Sequence, residues 1–229
     1  MIYVTGDIHS GLDMKKIMLE RFDYSGFTKD DYLIICGDFG VIWNYKGMDD
    51  RERYLLDMFE NMPWTTLFID GNHECFPRLY KEFPIVDFHG GKAHKLNDSV
   101  YHLMRGQVFT LQGKTFFTFG GASSHDKAFR TEGETWWPEE LPSSAEMMEG
   151  IKNLEKYDNK VDYVITHSLP TSKQKQLHRP GFKQNRLTDY FEELDKKLTY
   201  TKWFSGHYHM DGAVDDHTAV IFYIVFKLF

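Results

Sequence analysis

Five places in this sequence end a short apolar run with residues that bind divalent cations. They are Gly6-Asp7-Ile8-His9, Gly37-Asp38, Asp70-Gly71-Asn72-His73-Glu74, Thr166-His167 and Gly206-His207-Tyr208-His209. Carboxylate, amide oxygen and imidazole together form the ligand set of first-row divalent metals. The candidate ligands are Asp7, His9, Asp38, Asn72, His167, His207 and His209. Seven such groups exceed the needs of one tetrahedral ion and suit two ions sharing a carboxylate, about 3.5–4 Å apart. No thiolate belongs to the set, which excludes a structural zinc finger. A single His or Gly-Asp after a strand is ordinary turn decoration. Here five of the 11 histidines recur in these positions, two of them as His-x-His after a glycine, and that conjunction favours metal.

These groups need a scaffold that brings strand ends to one edge. Short β-branched or aromatic runs predict strands at 2–5, 32–36, 65–69, 161–166 and 202–205. Between them, helical spacing of apolar residues predicts helices at 12–22, 51–62, 143–157 and 187–198, the third opening on a Ser143/Glu146 capping-box pair. Strands alternating with helices imply a largely parallel sheet, whose carboxyl edge is where α/β proteins bind ligands. Runs at 100–104, 107–111 and 115–119, separated by Arg105-Gly106 and Gln112-Gly113, predict antiparallel hairpins, and 219–226 a further strand. The expected fold is α/β, a mixed two-sheet β-sandwich flanked by helices in four layers. One domain over residues 1–229 is the simplest organisation.

Composition narrows the partners. Among 229 residues, 27 Lys and Arg face 34 Asp and Glu, a net charge of -7. That argues against binding nucleic acid by neutralising phosphates over the whole surface, and no sequence-specific nucleic-acid binding is expected. An acidic protein can still bind phosphate through cations it carries. Two cysteines, Cys36 and Cys75, are too few for a disulfide scaffold and are expected to be reduced and packed, which suits the cytoplasm. The N-terminus lacks the features of a signal peptide, and the longest apolar run is too short to span a membrane, so a soluble cytoplasmic protein is expected.

The ordered blocks Asp-x-His, Gly-Asp, Gly-Asn-His-Glu, Thr-His and Gly-His-x-His resemble those of the calcineurin-like metallophosphoesterase superfamily, in particular its small bacterial and phage-type members. They run from Gly6 to His209. The resemblance implies a helix-flanked β-sandwich with a dinuclear centre. One ion would lie among Asp7, His9, Asp38 and His209, and the other among Asp38, Asn72, His167 and His207, with Asp38 bridging. His73 would stay off the metals and protonate the leaving oxygen. Mn²⁺, Fe, Zn²⁺ and Ni²⁺ all suit such ligands, and the metal stays open.

The second block departs from the Gly-Asp-x-Val-Asp-Arg-Gly of Ser/Thr protein phosphatases in that superfamily. It reads Gly37-Asp38-Phe39-Gly40-Val41-Ile42-Trp43, without the Asp that orients the histidine or the Arg that clamps phosphate. Ser10 also stands where those enzymes usually have Gly. Arg130 is the candidate phosphate clamp, and Trp136 and Trp137 are candidate substrate contacts, equally readable as a packed loop before Pro138. His125 and Asp126 are weaker candidates. Arg78 and Arg105 are expected at the surface. The expected activity is hydrolysis of phosphate esters by direct attack of water, with monoesters first. Nucleotide or cyclic-nucleotide diesters are the alternative, and a non-catalytic scaffold of the same fold is the remote one. Oligomeric state is open.

Overall fold

The computed structural model describes residues 1–18 and 21–229. Thirteen strands are described: β1 (Ile2–Thr5), β2 (Tyr32–Ile35), β3 (Thr65–Phe68), β4 (Ile85–Phe88), β5 (Gly91–Lys95), β6 (Val100–Leu103), β7 (Gln107–Leu111), β8 (Lys114–Phe119), β9 (Tyr163–Thr166), β10 (Lys202–Ser205), β11 (Gly212–Ala213), β12 (Thr218–Val220) and β13 (Val225–Lys227). The helices are α1 (Asp50–Asn61), α2 (Phe76–Lys81), α3 (Ser144–Glu155), α4 (Thr171–Gln176) and α5 (Arg186–Asp195). One sheet has the order β13-β1-β2-β3-β6-β5-β4, the other β11-β12-β10-β9-β8-β7. Strands β1, β2, β3 and β6 run parallel, as do β8, β9, β10 and β12.

Alternation along each strand builds the layers. Ile34 faces the inter-sheet core with Val4, Leu67, Phe116, Ile165 and Phe204. Its neighbours Leu33 and Ile35 face the opposite way and pack with Leu55, Leu56 and Phe59 of α1. The outer face of the second sheet buries Phe117, Val164 and Trp203 against Leu154, Phe191 and Leu194 of α3 and α5. Both faces of each central strand are thus covered, which explains runs such as Tyr-Leu-Ile-Ile that are apolar without a gap. Each fully buried large apolar side chain contributes about 1.5–3 kcal/mol. Ser143 and Glu146 form the expected reciprocal cap of α3. No helix among the described residues is long and apolar enough to cross a membrane.

Four expectations need correction. Among the described residues of 12–22 there is no α-helix: a 3₁₀ turn at Met14–Ile17 is followed by extended Met18, and Leu12 is 76% exposed; residues 19 and 20 lie outside the described residues. The reason is Lys16, whose buried ammonium donates to the carbonyls of Asp7 and Phe222. That contact wraps the segment under the site instead of coiling it. The 100–119 region holds one hairpin, β7–β8, turned by Gln112 and Gly113, both at positive φ. β6 instead pairs with β3 and β5 in the other sheet, and Arg105-Gly106 carries the chain across.

The run 219–226 likewise divides between β12 and β13, one in each sheet, because the amides of Phe222 and Tyr223 bond to Asp211 at the crossing. Finally, Arg78 and Arg105 are each only 5% exposed. Arg78 makes a bidentate pair with Glu52 at 2.6 and 2.7 Å that ties α2 to α1. Arg105 holds the Asp70 carboxylate at 2.6 and 2.9 Å. The β4–β5 hairpin was not anticipated, although His89-Gly90, both at positive φ, marks its turn.

Candidate metal centre

The seven candidate ligands all follow strands at their carboxyl ends: Asp7 after β1, Asp38 after β2, Asn72 after β3, His167 after β9, and His207 and His209 after β10, with His9 two residues beyond Asp7. The two sheets therefore contribute three and two strand ends to a common edge. The backbone there is bent into conformations that side chains rarely adopt. Among the described residues, four of the ten non-glycine residues at positive φ are His9, Asp38, His207 and His209. Such backbone costs of order 1–3 kcal/mol per residue and clusters at functional sites. Glycine permits the closest approaches. A Cβ at residue 71 would meet Oδ1 of Asp38 at 2.0 Å, and one at residue 37 would meet Nδ1 of His167 at 2.2 Å.

Asp38 sits at the middle. Its Oδ1 accepts from the backbone N–H of Asn72 at 2.7 Å and of His73 at 2.8 Å. Its Oδ2 faces Nε2 of His167 at 3.3 Å, of His9 at 3.4 Å and of His73 at 4.0 Å. One carboxylate oxygen is thereby fixed by backbone and the other turned into a ring of imidazoles. Asp7, His9 and His209 place one ligand atom each within 4.8 Å of one another, and so do Asp38, His167 and His207. A third group of the same kind contains His9, Asp38 and His73, so His73 lies nearer the ligands than a residue standing well above them.

Three tests bear on whether cations fit. First, among the described residues five buried side-chain polar atoms lack a hydrogen-bond partner, and three of them, Oδ2 of Asp7, Oδ1 of Asn72 and Nε2 of His167, belong to candidate ligands. Buried polar atoms are rarely left in that state. Second, the outer ring nitrogens are occupied. Nδ1 of His9 donates to Asp13 at 2.7 Å, and Nδ1 of His167 to the carbonyl of Cys36 at 2.6 Å, which leaves both Nε2 lone pairs facing inward. This is the outer support that metal-binding histidines usually have.

Third, the charges are uncompensated. Asp7 and Asp38 are buried, a setting that by itself favours the neutral acid. The imidazoles of His209 and His167 hold Asp7 below the ordinary carboxylate range, and those of His167 and His73 hold Asp38 well below it. In return, and against the effect of their own burial, His9 is lifted to about 9 and His167 to about 10, chiefly by Asp38. His207 is pushed the other way, to about 3, by burial and the neighbouring His167. Two buried carboxylates are thus recruiting positive charge, the role a divalent cation takes over as it displaces the protons.

Around this set, Glu74 fastens two loops. Its Oε1 accepts from the N–H of Phe39 and Gly40, and its Oε2 from Gly71. Behind it, Asp70 is not a ligand candidate: Arg105 and Nε2 of His102 saturate its carboxylate. Among the described residues, no carboxylate accepts a hydrogen bond from the His73 ring; Oδ2 of Asp38 is 4.0 Å from its Nε2. Its ring lies between Trp43, at 5.5 Å and 36°, and His9, at 5.2 Å and 83°.

Arg130 reaches the site. Its Nη2 is 3.4 Å from Nε2 of His73, its Nε donates to Asp126 at 2.7 Å, and its guanidinium lies over Trp43. The two candidate tryptophans do not behave as substrate platforms. Trp137 is 2% exposed and packs edge-on against Trp43 at 5.6 Å, while the ring of Trp136 is covered by the Lys127 ammonium. Neither borders the clefts at the centre. Trp43 takes that place, a residue whose stretch had drawn notice for the Asp and Arg it lacks.

Two clefts meet at His73. One, about 340 Å³, is walled by His9, Ser10, Gly40, Val41, Trp43 and Arg51. The other, about 330 Å³, is walled by Asp38, Asn72, His207, Arg179, Phe182 and His125.

A family model of calcineurin-like phosphoesterase matches residues 1–211, and the sandwich of two mixed sheets flanked by helices agrees with it. The chain belongs to the calcineurin-like phosphoesterase family. Among curated proteins it is similar to the lariat debranching enzyme of Gallus gallus, 26% identical over 242 residues, covering 93% of this chain and 43% of that protein. The lariat debranching enzyme of Drosophila melanogaster is 25% identical over 240 residues, with the same coverage of 93% and 43%. That of Arabidopsis thaliana is 32% identical over 91 residues, 35% of this chain. The chain spans about two fifths of the length of the Gallus gallus and Drosophila melanogaster relatives it matches.

Proposed function

We propose that this chain, acting as one domain, is a dinuclear metal-dependent phosphodiesterase acting on nucleotide substrates. The observation that carries the reading is the pair of clefts sharing His73. A phosphoryl group over the centre has room for a substituent toward Trp43 and for another toward Phe182. The sequence put monoesters first. A monoester needs one such cleft, a diester needs both, and the curated relatives named above are debranching enzymes of lariats. The anionic clamp expected of a monoesterase has one supporting feature, Arg130 beside His73.

In this reading Asp7, His9, Asp38 and His209 would hold one ion, and Asp38, Asn72, His167 and His207 the other. When bound, the pair would neutralise the phosphoryl oxygens and lower the pKa of an attacking water. The amides of Asn72 and His73 lock Oδ1 of Asp38 and leave its Oδ2 facing the imidazoles of His9 and His167. Glu74 fixes the loops bearing Asp38 and Asn72. His73 donates a proton from Nε2 to the departing oxygen, and Arg130 draws a phosphoryl oxygen toward that nitrogen. Trp43 and Phe182 wall the two substituents from water. Mn²⁺, Fe, Zn²⁺ and Ni²⁺ all suit the donors. The free, buried Cys36 and Cys75 accord with a reducing cytoplasm.

The test is a panel of aryl phosphate, bis-aryl phosphate, cyclic nucleotides and a phosphopeptide, assayed after Mn²⁺ loading. Faster turnover of the diesters is expected. Faster turnover of the aryl monoester or phosphopeptide would overturn the diester assignment, and no turnover of any member would favour the scaffold.

A further inference from the structure

We propose that residues 171–188 form a phosphate-binding strap that holds single-stranded nucleic acid as it leaves the catalytic cleft. The proposal rests on the phosphodiesterase reading and adds to it the size and path of the substrate. Within this stretch lie five of the 27 Lys and Arg of the chain and none of its 34 Asp and Glu. In a protein of net charge -7, a stretch of that length free of acid is a local reversal of sign.

One of the five is committed elsewhere: Lys173 is buried and paired with Asp195 at 2.9 Å and Asp215 at 3.2 Å. The other four, Lys175, Arg179, Lys183 and Arg186, are exposed. Among the described residues none of these four has a carboxylate within salt-bridge distance; Arg186 donates weakly to a backbone carbonyl, that of Leu141, at 3.3 Å.

The strap is continuous with the site. Arg179, Pro180 and Phe182 wall the cleft that contains Asp38, Asn72 and His207, and the same three wall an outer groove with Gln174, Lys175 and His178. A chain of phosphates one nucleotide apart would therefore pass from the centre into a groove bordered by unpaired cations. The ring of Phe182, edge-on to His207 at 4.9 Å and 5.7 Å from that of His125, supplies a partly exposed aromatic beside the path. Basic residues interleaved with aromatic ones are the pattern that tracks single strands, because each base offers a π-face and each phosphate a charge. The cleft on the other side of His73 is bordered by Asp49 and Glu52 as well as Arg51, so it offers a polyanion less.

The experiment uses a fluorescein-labelled, phosphorothioate-linked single strand of about twelve nucleotides, within the usual site size. Its binding to the metal-loaded protein is followed by anisotropy from about 50 to 200 mM KCl, the range over which phosphate contacts dominate. Lys175→Ala/Lys183→Ala is expected to weaken binding on the order of tenfold and to lower the salt slope by about 1.4, at roughly 0.7 per lost contact on a single strand. Lys175→Arg/Lys183→Arg should retain both values. Equal affinity and slope in wild type and the alanine variant would overturn the strap. So would failure of wild type to bind the strand while it hydrolyses bis-aryl phosphate, which leaves the phosphodiesterase reading intact. Strap-dependent binding without hydrolysis of any diester would support the strap and reject the catalytic reading.

Discussion

Nη2 of Arg130 lies 3.4 Å from Nε2 of His73, joining two residues 57 positions apart in the chain. A guanidinium has no acceptor, so here the imidazole nitrogen accepts and the histidine proton resides on Nδ1. A phosphoryl oxygen entering between them would take the guanidinium's donor and free Nε2 to be protonated, and its negative charge would favour that imidazolium, the form that gives its Nε2 proton to the departing oxygen. Arg130→Ala is therefore expected to raise KM for phosphate esters about ten- to a hundredfold, the worth of a charge-assisted contact of ~1.5–3 kcal/mol. Metal content, read by plasma emission, should not change. Unaltered kinetics would place the clamp elsewhere.

Replacing His73 tests its chemistry. His73→Asn removes no proposed ligand, so both ions and the fold should remain. The rate should fall about 10²–10⁴-fold for esters with alkoxide leaving groups, which need a proton in the transition state. For nitrophenyl esters, whose phenolate departs unaided, the fall should be much smaller. An equal loss on both substrates would reject the proton-donor role, and loss of metal would make His73 a ligand, as its group with His9 and Asp38 allows.

Asp38 offers one oxygen to imidazoles on both sides of the centre, Nε2 of His9 at 3.4 Å and of His167 at 3.3 Å. Asp38→Asn should accordingly lower the occupancy of both ions together, whereas His209→Ala should weaken one ion more than the other. Metal titration separates the two patterns. One ion at full occupancy in Asp38→Asn would show that the carboxylate does not bridge.

Arg105 neutralises Asp70 in a setting where both are buried. Arg105→Met leaves that carboxylate with His102 alone. Removing one partner of a buried pair costs about 3–5 kcal/mol. A loss of unfolding free energy, taken as the urea midpoint shift times m, of less than about 1 kcal/mol would mean that water reaches Asp70.

His94 gives a prediction about acid. Burial and the neighbouring His102 push it from 6.5 down to about 3. The unfolded chain then takes up a proton near pH 6.5 that the folded chain refuses until about pH 3. Its contribution to stability is complete above pH 6.5 and is lost progressively as the pH falls below that value. With Nε2 of His102 donating to Asp70, His94 donates from Nδ1 to Nδ1 of His102 at 3.0 Å. His94→Asn can keep a donor without titrating, so its urea midpoint should fall less between pH 7 and pH 5 than that of wild type. Parallel falls would assign the acid sensitivity to other groups.

The chemistry of the site was legible in the sequence because it is local. Each central strand is buried on both faces and so reads as an unbroken apolar run, and the polar residue that follows must lie at the strand's carboxyl end. Asp7, Asp38, Asn72, His167, His207 and His209 could be placed at one edge on that ground alone. The helix start near Ser143 was legible for a similar reason, since capping is decided within a few residues, and the helix near Leu187 from the spacing of Leu187, Phe191 and Leu194; its Asn185 cap was not read.

What the tertiary structure decided depends on partners distant in sequence. Whether an arginine is surface or core is set by what comes to meet it. Arg105 pairs with Asp70 across 35 positions and Arg78 with Glu52 across 26. Lys16 spoiled an apolar helical stripe by finding the carbonyl of Phe222, 206 positions away. The strands at 100–103 and 107–111 share a short connection yet join different sheets, because β3 and β8 are their better neighbours. Trp43 and Trp137 are the same residue type in similar loops. One walls the catalytic cleft and the other is buried behind it, and nothing in either local sequence distinguishes them, because burial is a property of the packed neighbours and not of the residue.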